Sequence, residues 1–215
     1  MENWENSFKL IEWKKLLIKN NIKINNIEER YSVHKRSGDL LFSLVEIKAT
    51  DPDGIPLLPI VLLRGNFVSV VIAIKEKETN DKYFLLVKQR RVANGAVFYE
   101  HPAGMCDNEI DPYKVALKEV EEETGLILKK ENIHFLWDKP LYSSPGLLDE
   151  AGYFFYCDIE LNSHELSEFK NKKTGAKDEH EHIETFLCPS NDILKYIDNS
   201  NGVLATLLYL KKHQL

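Results

Sequence analysis

The stretch GMCDNEIDPYKVALKEVEEETGL, residues 104–126, decides how this chain is to be read. Asp111 followed by Pro112 has the form of a helix start, because Pro is tolerated in the first turn, and Gly125 has the form of a stop. Between them stand Glu119, Glu121, Glu122 and Glu123. On a helix Glu119 shares a face with Glu122 and Glu123, three and four residues later, while Glu121 points away. Ala116, Leu117, Val120 and Thr124 supply the opposite side, small or apolar enough to lie on a sheet. Like charges at this spacing each cost a few tenths of a kcal/mol, roughly, on an isolated helix. They also lie toward the C-terminal end, where the helix dipole disfavours anions. Two readings follow: a solvated acidic face, or a site for a hard cation such as Mg²⁺ or Mn²⁺, which prefers carboxylate oxygen.

Upstream, FVSVVIAIKE and YFLLVKQRRV predict two strands joined through KETNDK as a hairpin, and VFYEHPAG predicts a short strand ending at a Pro-Ala-Gly turn. Downstream, IHFLWDKPLY, AGYFFYCDIE and HIETFLCP predict strands, and DILKYIDN and VLATLLYLKKH predict helices. At the N-terminus, Phe8, Leu10, Ile11, Trp13, Leu16, Leu17 and Ile18 recur at mostly helical intervals among lysines. This predicts an amphipathic helix over residues 7–20 that docks on the main domain or on a second subunit. The Asn-rich NNIKINN separates it from the strand candidates ERYSVHKR and LLFSLVEIKA, and TDPDGIP marks a turn before LLPIVLLRG. Mixed strands with interspersed helices, in place of regular βαβ units, give an α+β class or a mixed sandwich. The expected division is an N-terminal segment of helix and strands over 1–60 and a catalytic domain over 61–215.

The chain has 215 residues, 43% of them hydrophobic, which is enough for a substantial core, and a net charge of -6, which argues against a polyanion partner such as nucleic acid. No apolar run approaches the roughly 20 residues of a spanning helix, so no membrane partner is expected. Cys106, Cys157 and Cys188 are widely spaced, which suggests neither a disulfide framework nor a zinc site and fits a reducing cytoplasm.

With its flanks the glutamate stretch resembles the Nudix box, G-x5-E-x7-R-E-U-x-E-E-x-G-U with U apolar. Gly104, Glu119, Val120, Glu122, Glu123, Gly125 and Leu126 match it. Ile110 stands at the first Glu position and Lys118 at the Arg position, two positions that are structural partners of each other in the family. The segments LLVKQRRV, EHPAGM, SSPGLLDE and GAKDEHEHIE extend the resemblance over roughly residues 62–210, toward ADP-sugar and ADP-ribose diphosphatases of plant type. It implies a Nudix-type mixed-sheet α/β/α sandwich carrying an N-terminal extension of helix and strands, and a homodimer.

The resemblance also implies metal binding by Glu119, Glu122 and Glu123 with the carbonyl of Ala103, and substrate contacts from Arg91 and Glu100. Pro145 and Gly146 in SSPG match a loop that accompanies nucleoside diphosphate sugar substrates. Glu179 and Glu181 match an acidic loop that carries the general base, with Glu184 and His180 as neighbours. The expected activity is metal-dependent hydrolysis of a diphosphate linkage, giving AMP and a sugar phosphate, with Glu122 in the catalytic centre. A catalytically silent module that binds a nucleotide sugar is the alternative. Simpler readings stand beside these: Arg90 and Arg91 as strand-end charges, Pro145–Gly146 as an ordinary turn, His180 and His182 as solvated loop residues, and Tyr153 to Tyr156 as strand core.

Overall fold

The computed structural model of the chain describes residues 4–175 and 182–214. Its backbone forms two compact units. The first comprises Met1–Phe67, Met105–Ile110 and Leu141–Gly152, and the second comprises Val68–Gly104, Asp111–Pro140 and Tyr153–Leu215.

In the first unit, helix α1 (Phe8–Lys19) covers an antiparallel sheet in the order β1 (Lys23–His34), β2 (Leu40–Thr50), β3 (Ile60–Leu63). Leu10 and Trp13 of the helix bury against Val45, Ile47, Ala49 and Leu63, while Leu16 and Ile18 face outward. The second half of NNIKINN, placed before the first strand candidate, already belongs to β1, where Ile24 and, just beyond the stretch, Ile27 pair with Ala49 and Ile47. Tertiary pairing here outweighs the poor strand preference of Asn. Lys9, buried in this unit, passes its stem over Gly65 and donates to the carbonyl of Leu41 at 2.8 Å. It also lies 3.3 Å from Asp107, which Lys35 reaches at 2.8 Å, so the loop 105–110 is fastened to α1 and to the β1–β2 connection.

In the second unit the sheet runs β11 (Lys173–Thr174), β12 (Ile183–Pro189), β5 (Lys82–Arg90), β4 (Phe67–Glu76), β10 (Ala151–Leu161), β8 (His134–Phe135), with β6 (Val97–Glu100) on β5 and β7 (Ala103–Met105) on β4. The unbroken buried run Phe67–Ile72 on β4 has the form of a strand covered on both faces. The rings show which helix covers which face. Tyr113 of α2 (Pro112–Thr124) meets Phe155 edge-on at 5.0 Å, whereas Tyr209 of α5 (Ser200–Lys212) meets the neighbouring Tyr156 at 5.9 Å. Adjacent strand residues point to opposite faces, so α2 and α5 sandwich the sheet. The fold is α+β, with mixed strands and helices as the sequence predicts.

The expected strand IHFLWDKPLY is two short pieces, β8 and β9 (Leu141–Tyr142). Pro140, which has no N–H for a ladder, stands immediately before the second. The helix expected at DILKYIDN is only α4 (Ile193–Tyr196), and α3 (Ser163–Ser167) is an addition closed by a reciprocal cap between Asn162 and Glu165. Among the described residues no helix is long and apolar enough to cross a membrane.

The cysteines differ in environment. Cys157 and Cys188 are fully buried, and burial pushes their thiols up to about 12 and about 11, while Cys106 is half-buried. A thiolate-selective reagent at neutral pH should therefore label native protein at Cys106 and reach Cys157 and Cys188 only on unfolding. Peptide mass spectrometry checks this, and early labelling at Cys157 would contradict the core packing.

Candidate active site

Helix α2 is built from its ends. Asp111 accepts from the N–H of Tyr113 at 3.0 Å, Pro112 takes the first position, and Gly125 adopts the left-handed conformation (φ 74°) that lets its N–H reach the carbonyl of Glu121 at 2.7 Å. Two further terminal carbonyls are met from outside the helix. Thr174 Oγ1 donates to the carbonyl of Glu123 at 2.6 Å, and the N–H of Gly175 donates to that of Glu122 at 3.2 Å. Strand β11, which leads into residues 176–181, is thus sewn to the last turn of the glutamate helix.

The glutamates of that turn have distinct partners. Glu121 is exposed. Glu119 lies against Gly104 so closely that a Cβ there would sit 2.1 Å from its Cδ. The Lys118 ammonium stands 3.0 Å from Glu122 and 3.8 Å from Glu119, so these two carboxylates share one cation. Glu123 is buried and accepts the N–H of Ala103, the residue before Gly104, through Oε2 at 2.9 Å. Helical spacing gathers all three carboxylates on one side; the surroundings divide them between a cation and a backbone amide. Among the described residues no three Asp, Glu, His or Cys side chains form a preassembled metal cage. The donor set is nonetheless all oxygen, and Glu119 and Glu122 already converge on a positive charge, so the residues fit a hard divalent cation.

The segment opposite the helix carries the next groups. Glu100, at the end of β6, accepts from Arg91 Nε at 2.9 Å and Nη2 at 2.7 Å through one oxygen. The Arg91 side chain remains 45% exposed with the Nε and Nη2 edge of its guanidinium on Glu100, a residue three positions before Ala103. Between them His101 is fully buried, and burial lowers its pKa to about 3, which leaves the imidazole neutral.

Pro145 and Gly146 lie in the first unit, in an exposed turn closed by the N–H of Leu148 on the carbonyl of Ser144 at 2.8 Å. Glu179 and Glu181, with His180, fall outside the described residues. Glu184 belongs to β12 and pairs with Lys88 at 2.7 Å, and His182 is exposed. Ile110 is 76% exposed. Three features were missed from sequence: the sharing of Lys118 by two glutamates, the capping of the helix by Thr174, and the burial of His101. Only the first had a signal, in the i,i+4 spacing of Lys118 and Glu122.

A NUDIX domain model matches residues 65–207. Nudix hydrolase 14, chloroplastic, of Arabidopsis thaliana is 30% identical over 158 residues, 70% of this chain and 50% of its own length. The ADP-ribose pyrophosphatase of Bacillus subtilis (strain 168) is 31% identical over 121 residues, 56% of this chain and 59% of its own. The chain thus spans about half to three-fifths of the length of these curated relatives. A solved structure described as an ADP compounds hydrolase superposes with a TM-score of 0.59 over 89% of this chain and 95% of that one, at 18% identity, a likeness of fold.

Proposed function

Because this chain belongs to the NUDIX domain family, we propose that it is a divalent-metal-dependent hydrolase that splits the diphosphate linkage of a nucleoside diphosphate sugar of the ADP-ribose or ADP-glucose class. The products are AMP and a sugar phosphate. The observation that carries this reading is Glu119 seated against Gly104 with Glu122 on the same side of the helix, an all-oxygen donor pair suited to a hard cation. Glu119, Glu122 and Glu123, with the Ala103 carbonyl, would hold Mg²⁺ or Mn²⁺. When bound, such an ion neutralises phosphate oxygens and lowers the pKa of a coordinated water.

The chain's own groups do the rest. Arg91 offers a planar fork suited to a phosphate, with Glu100 holding its orientation. Glu123 fixes the Ala103 turn through the amide it accepts. We assign proton removal from water to Glu179, with Glu181 next in line, since Thr174 and Gly175, a few positions before them in sequence, are bonded to the carbonyls of Glu123 and Glu122. The substrate role of Pro145 and Gly146 rests on the resemblance of SSPG alone, and the homodimer we propose rests on the family resemblance as a whole.

One observation favours a second reading, a silent module that binds a nucleotide sugar: the Lys118 ammonium already stands between the two carboxylates. A panel of ADP-sugars separates the two. AMP release that requires Mg²⁺ is expected for the hydrolase, and binding without release would establish the module. Within the hydrolase reading, Glu179→Gln should lower kcat by about a hundredfold with little change in KM. Unaltered kcat would move the base to Glu181.

A further inference from the structure

Residues 100–103 carry Glu100 and Ala103, two of the groups assigned above, and the side chain between them that reaches the interior with a polar tip is His101. It lies edge-on to Phe84 at 6.2 Å, and its Nε2 is 2.9 Å from Thr206 Oγ1 on α5. The direction of that bond follows from the threonine. Thr206 spends its single hydroxyl hydrogen on the carbonyl of Gly202 at 2.9 Å, so toward His101 it accepts. The imidazole therefore carries its proton on Nε2 and presents a bare lone pair at Nδ1, which is buried and has no hydrogen-bond partner among the described residues.

That orphan costs stability, since a buried polar atom without a partner forfeits its hydration. A leucine at this position would remove it. Thr206 would lose only an incoming bond and would keep its own to Gly202, so the fold alone gives no reason for a histidine here. We infer that His101 is a positioning residue: by donating to Thr206 it pins the backbone from Glu100 to Ala103 against α5, and so sets where Glu100 and Ala103 stand relative to the glutamate helix. Ala103 is then held from two sides, by His101 through the chain and by Glu123 through its amide. The catalytic consequence rests on the hydrolase reading; the pinning itself does not.

The test uses His101→Leu, His101→Gln and Thr206→Val in the full chain. Amide hydrogen exchange in peptides covering residues 99–105 is expected to quicken about tenfold in His101→Leu and Thr206→Val, with no fall in melting temperature for the leucine variant. His101→Gln, which retains a donor, should restore much of the protection. For the active enzyme, kcat/KM in His101→Leu should fall about tenfold, carried by kcat. Unchanged exchange at residues 99–105 overturns the inference. So does a leucine variant whose exchange quickens evenly across the chain with a lower melting temperature, because that would make His101 merely structural. If the wild-type protein releases no AMP, the hydrolase reading fails on its own, and the exchange comparison still decides the pinning.

Discussion

Glu122→Gln should lower turnover at saturating Mg²⁺ by about a hundredfold or more, while leaving the melting temperature nearly unchanged. The substitution keeps the shape of the side chain and removes its charge. Two small effects on stability then oppose each other. The exposed pair with Lys118 is lost, worth about 0.3–0.5 kcal/mol for an i,i+4 contact on a helix. Repulsion from Glu119, on the same side of the helix, is relieved by a similar few tenths of a kcal/mol, roughly. Stability thus stays level while the proposed ligand is lost. Steady-state kinetics across a Mg²⁺ titration, with a thermal melt alongside, reads both. Undiminished turnover would remove Glu122 from the metal site; a collapsed melt would make it a structural residue.

Gly104→Ala should be nearly as damaging to turnover, by a different route. The added Cβ would sit 2.1 Å from Glu119 Cδ, so one of the two must move. The carboxylate end of a long side chain moves more cheaply than the backbone of β7, which is held to β4. The fold should therefore survive with Glu119 displaced, and binding of Mn²⁺, followed by electron paramagnetic resonance, should weaken at least about tenfold. The double variant with Glu119→Gln sharpens the reading. If Gly104→Ala acts through Glu119, adding it to Glu119→Gln should cost little more, since two changes in one contact are not additive. Fully additive losses would show that Gly104 acts through the backbone.

Much of this was open to inspection in the chain itself. Asp111, Pro112 and Gly125 mark both ends of α2 because capping is a local effect, decided within one turn. The β4 and β5 strands declare themselves by long apolar runs around the turn at Asn80. What escaped was decided at a distance. The opening of β1 depends on β2, and the shortness of α4 gives no periodic signal. In the site, the periodicity of a helix identifies which glutamates share a side, but Gly104 and Ala103, some fifteen to twenty positions earlier, determine what each carboxylate meets. The Glu123 side chain is the clearest example: its spacing groups it with Glu119 and Glu122, and its burial commits it to a backbone amide.

Strand β10 serves as the common gauge for both helices. Phe155 seats Tyr113 on one side and Tyr156 seats Tyr209 on the other. One extra residue inserted just ahead of Phe155 would exchange the two rings between faces. The helix bearing the glutamates and the helix that anchors His101 would then each meet the wrong partner at once. Length changes in the connections outside the strand would leave that alignment intact. Tolerance of insertions should therefore break abruptly at β10, a frame shared by two elements that never meet each other in sequence.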